Sequence, residues 1–281
     1  MSFAGRQPLL EPKAARGEDI ALGRCYILAP PLALTEMDLL ELGDAEAHLW
    51  WARWDADASI THLNGLLIEE EHVRCQRFVF ERSRREFVLT RALVRTRLSR
   101  YAAVDPRDWR FRTNEWGRPE IETPALELPL RFNLSHSGGV IACLVARGRE
   151  VGVDVEAIHR VSDRADVAAR FFAPSEVAAL CALPEHEQEE RFFDYWTHKE
   201  AYIKARGMGL AIPLDAFSFS LGGAAHETTV AFDERIDDRP SRWQFDHFRL
   251  TERHPVATAI ERRVAGERVA IVVREAALGF E

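Results

Sequence analysis

The sequence predicts a mixed fold of helices and strands, built as two modest domains or one large one. Its 281 residues are about twice a common domain length. Apolar residues recur at helical spacing in two long segments, and several shorter runs alternate as strands do. With 47% hydrophobic and 29% charged residues, the chain has material for a sizeable core and does not read as disordered, collagenous or coiled-coil.

The first twenty residues mix charges and prolines without an apolar block, which reads as a loose tail and not as a secretory signal. From Glu81 to Tyr101, at about 100° per residue, Phe87, Val94, Leu98 and Tyr101 fall on one stripe, with Leu89 and Leu93 on another face. Arg84, Arg91 and Arg95 line the edge of the stripe and are expected at the surface. Asp105-Pro106 ends this helix, Trp109 to Arg112 alternates as a strand, and Trp116-Gly117-Arg118-Pro119 makes a turn. Val140 to Ala146 and Val151 to Glu156 read as a hairpin closed by Arg147-Gly148-Arg149-Glu150. Pro174 and Glu176 suit the first turn of a short helix. A long helix from about Glu187 to Arg206 stops at Gly207. Phe217-Ser218-Phe219 and Val269 to Val273 alternate like strands.

No apolar run approaches the roughly 18 residues of a membrane helix, the longest being Val140 to Ala146. Cys25, Cys75, Cys143 and Cys181 form no Cys-x-x-Cys pair, against a zinc knuckle or disulfide framework and in favour of a reducing cytoplasm. The net charge of -8 disfavours nucleic-acid binding, yet Val73 to Arg112 holds twelve arginines against Glu81, Glu86, Asp105 and Asp108. Such a segment suits an anionic ligand or acidic protein, or a solvated helix face. Of 37 basic residues only Lys13, Lys199 and Lys204 are lysines, and the last two lie five positions apart. A site that needs a compact ammonium would explain that pairing.

Three constellations carry candidate chemistry. In Gly152-Val153-Asp154-Val155-Glu156, period-two alternation puts the valines on one face and both carboxylates on the other. A hard divalent ion such as Mg²⁺ would relieve their repulsion, although a half-exposed strand with a solvated acidic face is the commoner reading of these five residues alone. On the long helix, Phe192, Trp196 and Ile203 form an apolar stripe that includes Lys199, with Glu200 and Lys204 along its edge. A lysine there either snorkels or meets an anion. Asn133-Leu134-Ser135-His136-Ser137-Gly138-Gly139 reads as a polar loop whose amides, hydroxyl and imidazole suit a phosphate.

Taken together, Phe-Asn-Leu-Ser-His-Ser-Gly (132–138), Gly-Val-Asp-Val-Glu (152–156) and Trp-Thr-His-Lys-Glu-Ala-Tyr-Ile-Lys (196–204) resemble the three signatures of the Sfp-type 4′-phosphopantetheinyl transferases. Arg74-x-x-Arg77-Phe78, Gly117-Arg118-Pro119 and Gly207-x-Gly209-Leu210 extend the resemblance from about Gly65 to Phe219. It implies an α+β, pseudo-twofold fold of two similar halves, 23–148 and 149–281 after an extension over 1–22, with the active site in the cleft between them. It also implies transfer of the 4′-phosphopantetheine arm of coenzyme A to a serine of an apo acyl or peptidyl carrier protein, with release of adenosine 3′,5′-bisphosphate. By the same likeness Asp154, Glu156 and Glu200 would hold Mg²⁺, and Lys204 would contact the phosphates. Arg74, Arg118, Ser135 and His136 would grip the adenosine 3′-phosphate end, Asn133 would bind coenzyme A beside them, and Lys199 would orient carboxylates or phosphates. The catalytic set is then Glu156, Glu200 and Lys204, with the base open between the two glutamates. Arg118 stands where lysine is usual, and Glu71 and Phe87 where some relatives carry a basic and a hydroxyl residue. A cytoplasmic monomer without nucleic-acid or membrane partners completes the expectation, its alternatives being a Mg²⁺-dependent coenzyme A phosphohydrolase or a non-catalytic coenzyme A-binding protein.

Overall fold

The computed structural model describes residues 26–32, 39–55, 59–127, 129–159, 161, 163–222 and 228–277. The expected N-terminal extension and Cys25 lie outside them. After strand β1 (Tyr26–Leu32) the chain lays down one topology twice. In the first pass, β2 (Glu46–Arg53) leads to helices α1 (Glu69–Gln76) and α2 (Glu81–Leu98). A small hairpin follows, β3 (Arg110–Thr113) with β4 (Pro119–Thr123), and then a long one, β5 (Leu130–Ser137) with β6 (Val140–Arg147). In the second pass, β7 (Val151–Val155) leads to α3 (Arg164–Phe171), α4 (Pro174–Cys181) and α5 (Glu185–Arg206). Again a small antiparallel pair follows, β8 (Phe217–Ser220) with β9 (Thr229–Phe232), and then the hairpin of β10 (Trp243–Thr251) and β11 (His254–Glu261). In both passes the leading strand pairs antiparallel with the last, β2 with β6 and β7 with β11. The orders β2-β6-β5 and β7-β11-β10 are therefore the same arrangement, which is the pseudo-twofold of two α+β halves.

One strand crosses between the halves. β12 (Ala270–Ala276) pairs parallel with β2, and β1 pairs parallel with β12, so the first sheet runs β1-β12-β2-β6-β5. Alternation then sorts the core into layers. Ala47, Leu49, Ala142 and Leu144 face Val151, Val153, Val155 and Val256 in a core between the two sheets. Trp50, Ile141, Cys143 and Val145 point the other way, onto Leu89, Leu93 and Leu98 of α2. Ala257 and Ala259 of β11 lie under Tyr202 and Ala205 of α5. The order is helix, sheet, sheet, helix. A Cβ on Gly152 would sit 2.0 Å from the carbonyl oxygen of Ala201 and 2.5 Å from the amide nitrogen of Ala205. Glycine there lets the backbone of α5 lie directly on β7, which brings the acidic strand under the helix that carries Glu200 and Lys204.

Several sequence expectations change. β6 and β7 are not a hairpin: β6 pairs with β2 and β5, whereas β7 pairs with β11 across the chain. The turn between them is the passage from one half to the other. Arg149 in that passage is buried, and its guanidinium binds Glu267 and donates to the carbonyls of Asp44 and Glu261. The Asn133–Gly139 segment is not a loop but the end of β5 and its turn into β6. Of the arginine row of α2 only Arg84 keeps an exposed side chain, whereas Arg91 and Arg95 turn inward. Arg95 is fully buried, gives Nε and Nη2 to Glu71 Oε2 at 3.2 and 2.9 Å, and gives Nη1 to the carbonyls of Pro106 and Trp109. Arg91 shares the same carboxylate at 3.5 Å. Glu71 also caps α1 through the Ile68 amide, so one glutamate fastens α1 to α2. Cys75, Cys143 and Cys181 are free thiols.

Candidate active site

β7 gives its inner edge to β11, and its outer edge faces β5, with which it forms no main-chain ladder. Side chains of β5 take that place. Asn133 Oδ1 accepts the amide of Val153 at 3.0 Å, Ser135 Oγ that of Val155 at 3.2 Å, and Ser137 Oγ that of Ala157 at 3.1 Å. Residues two apart on one strand face meet amides two apart on its neighbour, so the register is fixed without a shared sheet. The two hydroxyls also reach the acids. Ser135 donates to Asp154 Oδ1 and Ser137 to Glu156 Oε2, each at 2.8 Å.

Across this strand lies the last turn of α5. Lys204 Nζ donates to Asp154 Oδ1 at 2.6 Å and to Ser135 Oγ at 3.1 Å. Asp154 is buried and its Oδ2 has no hydrogen-bond partner. Burial pushes its carboxyl above the usual range, against the pull of Lys204. Burial and then the charge of Asp154 raise Glu156 as well. Glu200 is pushed up to about 7 by burial first and then by the field of Asp154, with Glu156 adding and Lys204 opposing. The three acids and one ammonium expected from separate motifs therefore act on one another electrostatically. Among the described residues, however, no group of three or more His, Cys, Asp or Glu side chains is arranged to hold a metal ion. Lys204 takes one Asp154 oxygen.

Lys199 does not face this cluster, which corrects its expected orienting role. It is fully buried, 2.7 Å from Glu176 Oε2, and donates to the carbonyls of Leu214 and Phe217, each at 2.7 Å. All three ammonium protons are thereby used. Glu176 in turn accepts the amides of Ala173 and Phe219. The pair is a bolt between α4, α5 and β8.

The remaining predicted residues separate. Asn133, Arg118 and Lys204 line a pocket of ≈ 230 Å³ with Trp116, Pro119, Leu134 and Ile203. Arg74 lines a separate pocket of ≈ 670 Å³ with Val73, Arg77 and Phe78. Asn133 gives its carbonyl to β7, which leaves its amide protons for the pocket, whereas Ser135 gives its one proton to Asp154 and so holds the strand where a phosphate grip was expected. Arg118 is ion-paired to Glu120 and Glu150 and donates to the Ala205 carbonyl, which makes it a clamp on the end of α5. Asn114 adds a hydrogen bond to the Gly207 carbonyl, where a left-handed φ of 66° ends the helix. His136 is half-exposed and lies 3.2 Å from Glu86, whose carboxyl it lowers through that hydrogen bond.

A sequence profile described as the 4′-phosphopantetheinyl transferase superfamily matches residues 150–259, and one described as 4′-phosphopantetheinyl transferase, N-terminal, matches residues 52–148. The 4′-phosphopantetheinyl transferase HetI of Nostoc sp. is 38% identical over 173 residues, covering 61% of this chain and 73% of that protein. The chain belongs to the 4′-phosphopantetheinyl transferase superfamily. The transferase Sfp of Bacillus subtilis is 37% identical over 153 residues, 54% of this chain and 65% of that one. The two profiles meet at the passage between the halves, and the superfamily match begins at Glu150, just before β7, and reaches into β11. Within this phosphopantetheinyl transferase frame, sequence reasoning overlooked Ser137, Glu176 and Glu150 as partners of predicted residues. Ser137 was detectable, because it stands two residues after Ser135 on the same strand face. Glu176 and Glu150 were not, because their partners Lys199 and Arg118 are 23 and 32 positions away.

Proposed function

We propose that this chain transfers the 4′-phosphopantetheine arm of coenzyme A to a serine of an apo carrier protein. The observation that carries the reading is the convergence of Asp154, Glu156, Glu200 and Lys204 at the junction of the halves, in a chain of this superfamily. The new bond joins the serine oxygen to the β-phosphorus, and the bond to the bridging oxygen breaks, releasing adenosine 3′,5′-bisphosphate. Lys204, with its side chain 27% exposed, is positioned to put its ammonium against phosphate oxygens on which charge grows. Burial and the neighbouring acids raise both Glu156 and Glu200 in the absence of a cation, and one of these two glutamates would take the serine proton. The neighbouring ≈ 230 Å³ pocket, walled by Trp116, Pro119 and Leu134, suits the flat base of the nucleotide.

The donor set fits a divalent cation. Asp154 Oδ2 is buried and unpartnered, and the acids raise one another. Mg²⁺ is usually held by one or two carboxylates plus substrate phosphates, so it needs no closed protein cage. Asp154, Glu156 and Glu200 would hold it, and when bound it would supply neutralisation of the pyrophosphate charge. A monomer acting in the cytoplasm belongs to the same reading; among the described residues no helix is long and apolar enough to cross a membrane. The test is mass spectrometry of apo-carrier proteins incubated with the protein, coenzyme A and Mg²⁺. The carrier should gain one phosphopantetheine, and Glu200→Ala should abolish the gain. An unmodified panel would refute the assignment.

A further inference from the structure

We infer that Ser137 is a positioning residue that fixes Glu156 for cation binding, an inference that rests on the transferase reading above. Its hydroxyl does two things at once, donating to Glu156 Oε2 at 2.8 Å and accepting the Ala157 amide at 3.1 Å. Glu156 lies one residue beyond the end of β7; its amide still donates to the Pro255 carbonyl of β11 at 3.2 Å, but that bond fixes only the backbone and leaves the side chain to Ser137. A glutamate has three rotatable bonds, so without the hydroxyl its carboxylate would sample several rotamers. With the hydroxyl, carboxylate and backbone are tied to the same atom of β5, and β5 ends immediately afterwards in Gly138 and Gly139, both with left-handed φ. A Cβ on Gly138 would lie 2.3 Å from Cβ of Ala157, so the turn presses against the residue that Ser137 holds. The rung is therefore backed by a rigid corner.

Ser135 makes the parallel rung to Asp154 but shares it with Lys204. Asp154 thus keeps a second tether if the serine is lost, whereas Ser137 is the hydroxyl that orients Glu156. A hydrogen bond that orients a ligand of a metal typically contributes about 10- to 100-fold in metal affinity. Ser137→Ala should accordingly weaken binding of Mn²⁺, used as a paramagnetic probe, about tenfold in the presence of coenzyme A. Ser137→Thr, which keeps the hydroxyl, should restore it.

The experiment measures the Mn²⁺ dissociation constant by electron paramagnetic resonance for the full chain with coenzyme A, beside its melting temperature and carrier modification. Glu156→Gln and the double variant Ser137→Ala/Glu156→Gln complete the set. A hydroxyl that acts through Glu156 adds no further loss once Glu156 is Gln. Wild-type Mn²⁺ affinity in folded Ser137→Ala, or fully additive losses in the double variant, would overturn the inference. If Ser137→Ala does not fold, Ser137→Cys keeps the volume with a weaker donor, and its Mn²⁺ affinity must still fall. A wild type that modifies carrier but binds no Mn²⁺ overturns the rung alone, and one that does neither overturns the transferase reading with it.

Discussion

Lys204 Nζ stands 2.6 Å from Asp154 Oδ1, joining residues fifty positions apart and tying the last turn of α5 to the middle of β7. Asp154 is buried in the field of Glu156 and Glu200, and the Lys204 ammonium is the cation that offsets it.

Replacement of this lysine by methionine keeps the length and removes the charge. Because burial already pushes Asp154 toward its neutral form and the Ser135 hydroxyl still reaches it, Lys204→Met should lower stability by only about 1–2 kcal/mol, under the roughly 3–5 kcal/mol of a buried pair whose remaining charge has no relief. Transfer should suffer far more, by about 100-fold or more in kcat, as when an electrostatic stabiliser of a developing anion is lost. Single-turnover assays beside thermal melts separate the two effects. Equal small losses in both would deny Lys204 contact with the reacting phosphates.

The other lysine of the motif should behave in the opposite way. Lys199 and Glu176 are both essentially without solvent, so Lys199→Met leaves a carboxylate in the core and should cost about 3–5 kcal/mol. Lys199→Met/Glu176→Gln removes both charges and should recover a good part of that loss. Folded protein obtained this way should retain transfer within about tenfold, since neither side chain touches the acid cluster. Urea titrations of both variants test the order; greater loss in the double variant would contradict it.

The same contrast shows what was legible in the sequence. The long helix was plain because Gly207 ends it and its apolar residues keep one spacing, and β7 was plain because Val153 and Val155 alternate with Asp154. Lys199 was correctly singled out as odd, but its partner on α4 is specified by packing, which spacing within one helix does not contain. β5 was misread because Asn133, Ser135 and Ser137 look like loop chemistry. Their alternation with Phe132 and Leu134 is a strand pattern whose polar face meets a strand edge instead of water. β6 and β7 were joined wrongly because a four-residue turn is a local signal, whereas β11 lies about a hundred positions downstream of β7. The buried Arg95 was placed outside for a related reason: its desolvation is compensated by Glu71, 24 residues earlier.

Gly152 gives a steric prediction. Since Cβ would come within 2.0 Å of a carbonyl oxygen of α5, Gly152→Ala must lift the helix from the strand. Overpacking of a close core contact costs typically about 1–3 kcal/mol, and backbone against backbone belongs at or above the top of that range. Because Glu200 and Lys204 ride on the displaced helix, the variant should lose transfer even at temperatures where circular dichroism shows it folded. A stable and fully active Gly152→Ala would show that α5 does not lie as close as described.

The acid limb of stability should be governed in part by His48, far from the site in sequence. Its side chain is buried in the first sheet, where Trp50 Nε1 donates to Tyr101 Oη at 2.6 Å and that hydroxyl lies 2.9 Å from His48 Nδ1. With the indole proton already on the phenol oxygen, the phenol proton is available to His48, and this suits a neutral imidazole that accepts. Burial, helped by the charge of Arg274, lowers its pKa from 6.5 to about 4. The unfolded chain therefore binds a proton that the folded chain refuses between those values. The stabilisation is fully present above pH 6.5 and is lost as pH falls toward 4, by about 3 kcal/mol at roughly 1.4 kcal/mol per pH unit. His48→Gln, which can still accept from Tyr101 but does not titrate, should flatten that part of the profile. Urea unfolding of both proteins at pH 7.5, 5.5 and 4.5 measures the difference, and parallel profiles would mean that His48 is charged in the folded chain.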